Sequence, residues 1–212
     1  MSNKLFFSSD WHFGHHSILD YTGRGAILTP HGHLSRDERL EWHNDWLFNI
    51  INEQVGPSAT HYVLGDIAFG SNWRAAELID SFQCKNLHLI AGNHDRAKLD
   101  FWKSTNLFKS ISHYDEIKFD GQKIILCHFP IAEWNAGHSS SFMLHGHTHG
   151  NFDYAKAGLA DKRILDVGSD AAASPQHTQR GHKAYAPFEF QYIRDFFASN
   201  NRRSIEHHGK AD

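Results

Sequence analysis

Five short polar motifs, each directly behind a short apolar run, constrain this sequence more than any other feature. Asp10-Trp11-His12 follows the run Leu5 to Ser9, Gly65-Asp66 follows His61 to Leu64, and Gly92-Asn93-His94-Asp95 follows Leu87 to Ala91. His128 follows Lys123 to Cys127, and Gly146-His147-Thr148-His149 follows Phe142 to His145. Short apolar runs bounded by turn residues read as strands. Strands that repeatedly end in Asp, Asn and His bring those groups together only if they lie side by side with the same ends at one edge. Open α/β sheets have that geometry, with their sites at the strand carboxyl ends. In an extended segment residues i and i+2 face the same way, so Asp10 with His12, and His147 with His149, are each expected to converge as extended pairs.

The intervening segments agree with a layered α/β chain. Arg36 to Val55 repeats apolar residues at helical spacing, opens with a Ser35/Glu38 capping box and stops at Gly56-Pro57. Trp73 to Phe82 reads as a second helix, so strands and helices alternate through residue 91 and parallel pairing follows. Tyr114 to Phe119 and Lys123 to Cys127 flank Asp120-Gly121-Gln122, a hairpin signal. Arg163 to Val167 reads as another strand, Phe188 to Ala198 as a closing helix, and Tyr21 to Ser35 as a surface loop. The length predicts one domain over residues 1–199 with a polar tail over 200–212. The expected architecture is mixed, with sheets between helices.

Composition matters here mainly through histidine, of which there are 19 among 212 residues. Neutral imidazole is foremost a metal ligand. A net charge of -3 gives no basis for a nucleic-acid or membrane surface. Cys84 and Cys127 make no disulfide framework, and no apolar stretch resembles a leader or a membrane span, so a cytoplasmic protein is expected.

Taken singly, the motifs are weak. Asp-x-His is common, Gly-Asp is a turn signal, and Asn and Asp after a strand often only make a turn. Their ordered occurrence behind five successive strands is what carries information. Asp10, His12, Asp66, Asn93, His128, His147 and His149 form a mixed oxygen and nitrogen set suited to borderline divalent ions. They are too many for one tetrahedral zinc and fit two ions sharing a bridging carboxylate.

The ordered set resembles the calcineurin-like metallophosphoesterase superfamily, whose pattern is D-x-H, G-D, G-N-H-[DE], a later His, and G-H-x-H. The matching pieces run from Asp10 to His149, about two thirds of the chain. The stretches Asp10-Trp11-His12-Phe13-Gly14-His15 and Leu64-Gly65-Asp66-Ile67-Ala68-Phe69-Gly70 look like a compact bacterial and phage branch. The resemblance implies a two-sheet β-sandwich flanked by helices. It also implies one ion on Asp10, His12 and His149, a second on Asn93, His128 and His147, and Asp66 bridging them. His94 would be the catalytic histidine that assists the leaving group. Many relatives read G-D-x-x-D, and their second Asp orients that histidine; here Phe69 takes the place.

The activity implied is phosphoester hydrolysis by a metal-activated water, with Mn as the foremost ion and Fe, Zn or Ni as alternatives. His15, His16, Arg24 and Arg96 are candidate substrate contacts, and Trp11, Phe13 and Phe69 could wall a base-sized pocket. His31, His33, His43, His177, His207 and His208 fit no motif and are read as surface residues. A short chain leaves little room for a cap domain, which favours a small phosphodiester or nucleotide-like substrate. A phosphomonoesterase is the alternative within the class, and a non-catalytic metal-binding scaffold the alternative outside it.

Overall fold

The computed structural model describes residues 4–28, 31 and 33–200. Leu5–Ser8 (β1), Thr60–Val63 (β2), Leu87–Ile90 (β3) and Ser110–Ser112 (β4) run parallel, and Phe188–Glu189 (β9) pairs antiparallel on the free edge of β1. The first sheet therefore has the order β4-β3-β2-β1-β9. The second has the order β5-β6-β7-β8 and comprises Tyr114–Phe119 (β5), Gln122–Cys127 (β6), Phe142–His145 (β7) and Ile164–Asp166 (β8). Its last three strands are parallel, while β5 and β6 form the expected hairpin. The turn is tighter than the sequence suggests. Asp120 and Gly121 both have positive φ and Gln122 already belongs to β6, as a two-residue primed turn requires.

Helices pack on the outer faces. Arg36–Gln54 (α3) starts at the Ser35/Glu38 capping box, and Asn72–Ser81 (α4) starts at Ser71, whose side chain accepts from Arg74 N. Ile18–Tyr21 (α1) and Arg24–Ile27 (α2) lie before α3. Leu99–Thr105 (α5) and β4 were not foreseen, and Ser169–Ala172 (α6) and Pro175–Thr178 (α7) follow β8. The closing helix is Phe190–Ser199 (α8), because Phe188 and Glu189 are drawn into the sheet. No helix among the described residues is long and apolar enough to cross a membrane.

Period-two alternation builds the layers. Phe6, Val63 and Leu89 face a core shared with Leu47, Ile51, Ile79 and Trp102 of the helices. Their neighbours Phe7, Leu64 and Ile90 face the second sheet through Leu126, Leu144 and Leu165, together with Ile193 and Phe197 of α8. A single parallel bridge, Ser9 to Gly168, stitches the end of β1 to the loop after β8. The carboxyl ends of the parallel strands in both sheets thus meet along one seam.

Two sequence expectations change. The segment from residue 21 is not wholly surface, since Arg24 and Leu28 are buried. Nor are all motif-free histidines superficial: His43 and His177 are buried, while His31 is half-buried against Trp42 and His33 is exposed. His207 and His208, and the tail beyond residue 200, lie outside the described residues.

Burial holds these imidazoles neutral. It pushes His61, which meets Ser8 Oγ at 2.8 Å, and His43 each down to about 3, and His177 down to about 4. The unfolded chain takes up these protons near pH 6.5, so between there and the folded values it binds more protons than the native state, and stability falls as pH falls. Each group removes about 1.4 kcal/mol per pH unit in that window. The expected outcome, with chelator present, is a urea midpoint that is flat above pH 7 and drops from pH 6.5 to 5. In His61→Phe the slope should shrink by one group's share even though Ser8 loses this partner and keeps Trp11 Nε1 at 3.0 Å. A midpoint independent of pH over that range would contradict the argument.

Candidate metal centre

The six strand ends along the seam deliver the chemistry. Among the described residues ten non-glycine positions have positive φ, and half of these are Asp10, His12, Asp66, His147 and His149. The paired motifs therefore do not converge as extended segments, contrary to expectation. Each pair alternates through the left-handed region, which turns the chain sharply while aiming both side chains inward. Asp and His visit this region more readily than most residues, yet each such placement still costs about 1 kcal/mol or more. Close backbone approach does the rest. A Cβ at Gly92 would run into the Asp66 carboxylate and come within 2.8 Å of His128 Cε1, and one at Gly146 would lie 2.6 Å from Asp10 Oδ2.

Oxygen and nitrogen acceptors crowd one point. Asp66 Oδ1 accepts from His94 N at 2.9 Å, which leaves Oδ2 facing His128 Nε2 at 3.5 Å, His12 Nε2 at 3.7 Å and His94 Nε2 at 3.9 Å. Asn93 Oδ1 lies 3.0 Å from His128 Nε2 and 3.1 Å from His147 Nδ1. Asp10, His12 and His149 each offer a ligand atom within 4.8 Å of the others, and so do Asp10, Asp66 and His128. All seven predicted ligands are thus gathered along one continuous cluster.

Its electrostatics are those of a cation site. Burial pushes the Asp10 carboxyl well above the usual range, Asp166 and Asp66 add to the push, and His149 opposes it. Burial also drives His12 down to about 2. Both ring nitrogens of His12 are buried without a hydrogen-bond partner, at a cost of about 1–3 kcal/mol for each unsatisfied group. The donor set of carboxylate, amide and imidazole suits a divalent ion. For His149, burial is outweighed by the Asp170 hydrogen bond and the Asp10 carboxylate, so its affinity for a proton rises.

The expected substrate contacts separate. Arg24 is a correction: it is fully buried, its Nε and Nη2 hold both oxygens of Asp170 at 2.9 and 2.8 Å, and Nη1 and Nη2 donate to the carbonyls of Trp11 and Asp10. It has no face for a substrate. Arg96 is exposed in a 3-10 turn two residues past His94. His15 stacks on Phe69 with centroids 4.1 Å apart, and His16 Nε2 sits 3.3 Å from Asp37. Trp11 and Phe13 belong to the core, whereas Phe69 is half-buried against His12, His15 and His94. His94 keeps a side chain 45% exposed.

Sequence reasoning missed the residues that brace the loops. Asp95 does not orient His94; it is buried and accepts from the backbone N–H groups of Asp66, Ile67 and Gly92 at 2.8, 3.2 and 2.8 Å. Asp166 takes Thr148 Oγ1 at 2.7 Å and Gly150 N at 2.8 Å, fixing the Gly146–His149 turn, and Asp170 accepts from His149 Nδ1 at 2.7 Å. A usable signal existed, since Asp166-Val167-Gly168-Ser169-Asp170 is a sixth strand end carrying acidic residues behind an apolar run.

No family model matches the chain. It is 26% identical over 195 residues to the Gene 66 protein of Mycobacterium phage D29, covering 81% of this chain and 89% of that one. It shares its fold with the protein of unknown function AQ665 from Aquifex aeolicus, with a TM-score of 0.61, 19% identity and coverage of 92% of this chain and 99% of the other. A looser overlap, with a TM-score of 0.40 and 16% identity over 78% of both chains, is with Yfce, a phosphoesterase from E. coli.

The bracing role of Asp95 has a measurable consequence. Asp95→Ala should lower stability by about 2 kcal/mol or more, because three backbone donors lose a charged acceptor. It should also weaken binding of an added divalent ion, since Asp66 sits on the loosened turn. Unchanged stability in chemical denaturation would refute the assignment.

Proposed function

We propose that this chain is a dinuclear metal-dependent phosphoester hydrolase acting on a small phosphodiester or nucleotide-like substrate. The reading rests on one observation above the others: His12 is buried with both ring nitrogens unpartnered, and its Nε2 is aimed between the carboxylates of Asp10 and Asp66, 3.9 and 3.7 Å away. Buried polar groups are almost always satisfied, and a cation is the partner that answers this one together with the acidic crowding around Asp10. In this reading Asp10, His12 and His149 hold one ion, Asn93, His128 and His147 the other, and Asp66 is shared. Mn is the foremost candidate, with Fe, Zn or Ni as alternatives. When bound, the ions would supply an activated water and neutralise charge on the phosphoryl oxygens.

The chain's own residues have defined tasks. His128 Nδ1 donates to the Leu64 carbonyl at 2.7 Å, which places the lone pair of Nε2 toward Asp66 and Asn93. His94 stands at the open rim with its backbone pinned to Asp66, so its ring can protonate a leaving oxygen, a role worth about 10²–10⁴-fold. Arg96, free of the core, suits a bidentate phosphate contact. Phe129, 45% exposed and 4.7 Å from the His147 ring, and Phe69 on the opposite flank would line the approach of an organic leaving group.

The test combines loading with turnover. Protein purified without chelator and given Mn should carry two ions per chain and hydrolyse bis-nitrophenyl phosphate faster than the monoester. Asp66→Asn should abolish turnover and reduce metal content. His94→Ala should cut kcat about 10²–10⁴-fold with metal retained. A faster monoester makes the protein a phosphomonoesterase, and metal binding without turnover of either ester makes it a scaffold. Turnover unaffected by Asp66→Asn would sink the proposal altogether.

A further inference from the structure

The Arg24–Asp170 ion pair is a deeply buried polar feature outside the ligand set, and nothing in the proposed chemistry uses it. Arg24 has no exposed surface and Asp170 is only 8% exposed. Four hydrogen bonds leave the guanidinium, two to Asp170 and two to the carbonyls of Asp10 and Trp11. Asp170 Oδ2 accepts a further bond from His149 Nδ1. An ionised carboxylate only accepts, so the proton of His149 must sit on Nδ1 and Nε2 is left toward Asp10 and His12. One buried pair therefore grips both halves of a single candidate site: the left-handed Asp10-Trp11-His12 turn through its carbonyls, and His149 through its ring.

The other candidate site is built differently. His147 is exposed, and its ring contacts the co-ligand Asn93 and the ring edges of His128 and Phe129; among the described residues no carboxylate accepts a hydrogen bond from its ring. His128 Nδ1 is held by the Leu64 carbonyl, a neutral acceptor. Charged partners that fix a ligand histidine's tautomer and raise its basicity increase metal affinity, and preorganisation removes the cost of ordering ligands on binding.

We infer that Arg24 and Asp170 are positioning residues that preform the Asp10–His12–His149 site, so that it fills first and tightly while the site ending in His147 fills second and exchanges readily. The inference rests on the two-ion reading above and adds an order and an asymmetry to it. The buried clamp also accounts for an arginine at the start of α2 that never reaches the surface.

Mn titration of the full chain, with free ion followed by electron paramagnetic resonance, tests this. Wild type should show two steps, the first at least about tenfold tighter. His147→Ala should remove the weak step and keep the tight one. Asp170→Asn should weaken the tight step about 10–100-fold and leave the weak step within about threefold. An unchanged tight step, an equal loss in both, or loss of the tight step in His147→Ala overturns the inference. Failure of the wild type to bind Mn at all overturns the metal reading of the function instead. Should Asp170→Asn not fold, Arg24→Leu/Asp170→Leu removes the pair as a unit, which buried pairs tolerate better than loss of one partner. Nitrogen-15 spectra of zinc-loaded wild type give a second, variant-free readout: His149 must carry its proton on Nδ1, and a proton on Nε2 refutes the clamp.

Discussion

Asp10 and Asp66 bring two carboxylates to the seam between the sheets, in a place where neither is more than 3% exposed. That buried acidity is what the surrounding structure serves. Burial and mutual repulsion push Asp10 toward its protonated form, and positive charge is the remedy that restores it. Imidazoles whose lone pairs face the same space, a shared amide oxygen and a buried histidine without hydrogen-bond partners are the companions of such a charge.

Holding those groups in place demands backbone that most sequences would not adopt. Five left-handed non-glycine residues together store on the order of 5 kcal/mol, a sizeable fraction of a domain's net stability. The layers of the core supply the offset, because β1 and β7 are buried along their whole length and Val63 and Leu64 are buried beneath the Asp66 turn. The acidic braces localise it. Asp95 ties three backbone donors under the Asp66 turn, and Asp166 ties the turn carrying His147 and His149. Strain and bracing occur at the same strand ends, the pattern expected where geometry is kept for function rather than stability.

Phe69 gives the rim its own character. An aromatic ring stands three residues past Asp66 at the rim, and it packs on His12, His15 and His94 at once. His94 is thereby positioned by ring contacts and by Asp66, whose Oδ1 accepts from its backbone and whose Oδ2 lies 3.9 Å from its Nε2, and the Phe69 turn adds no carboxylate. Carboxylate support goes instead to His149, through Asp170 and the buried Arg24. The Arg24–Asp170 pair thus lies behind a candidate ligand and away from the candidate acid.

Much of this was legible in the residues alone. Strand ends carrying Asp, Asn and His in order, the Ser35 capping box, the Asp120-Gly121 hairpin and the seven ligand candidates are local signals, and local patterns determine side-chain direction and turn type. The short edge strands β4 and β9 were not legible, because pairing recruits them and their own sequences do not demand it. Nor was the fate of Arg24: a charged residue in a glycine-rich loop reads as solvated, and only an Asp 146 positions later in the chain turns it inward. The extended pairing expected of Asp10 and His12 failed for the same reason. Sequence spacing determines which residues can meet, but the tertiary structure chose the left-handed turns, since only packing against a second sheet and its acidic braces repays their strain.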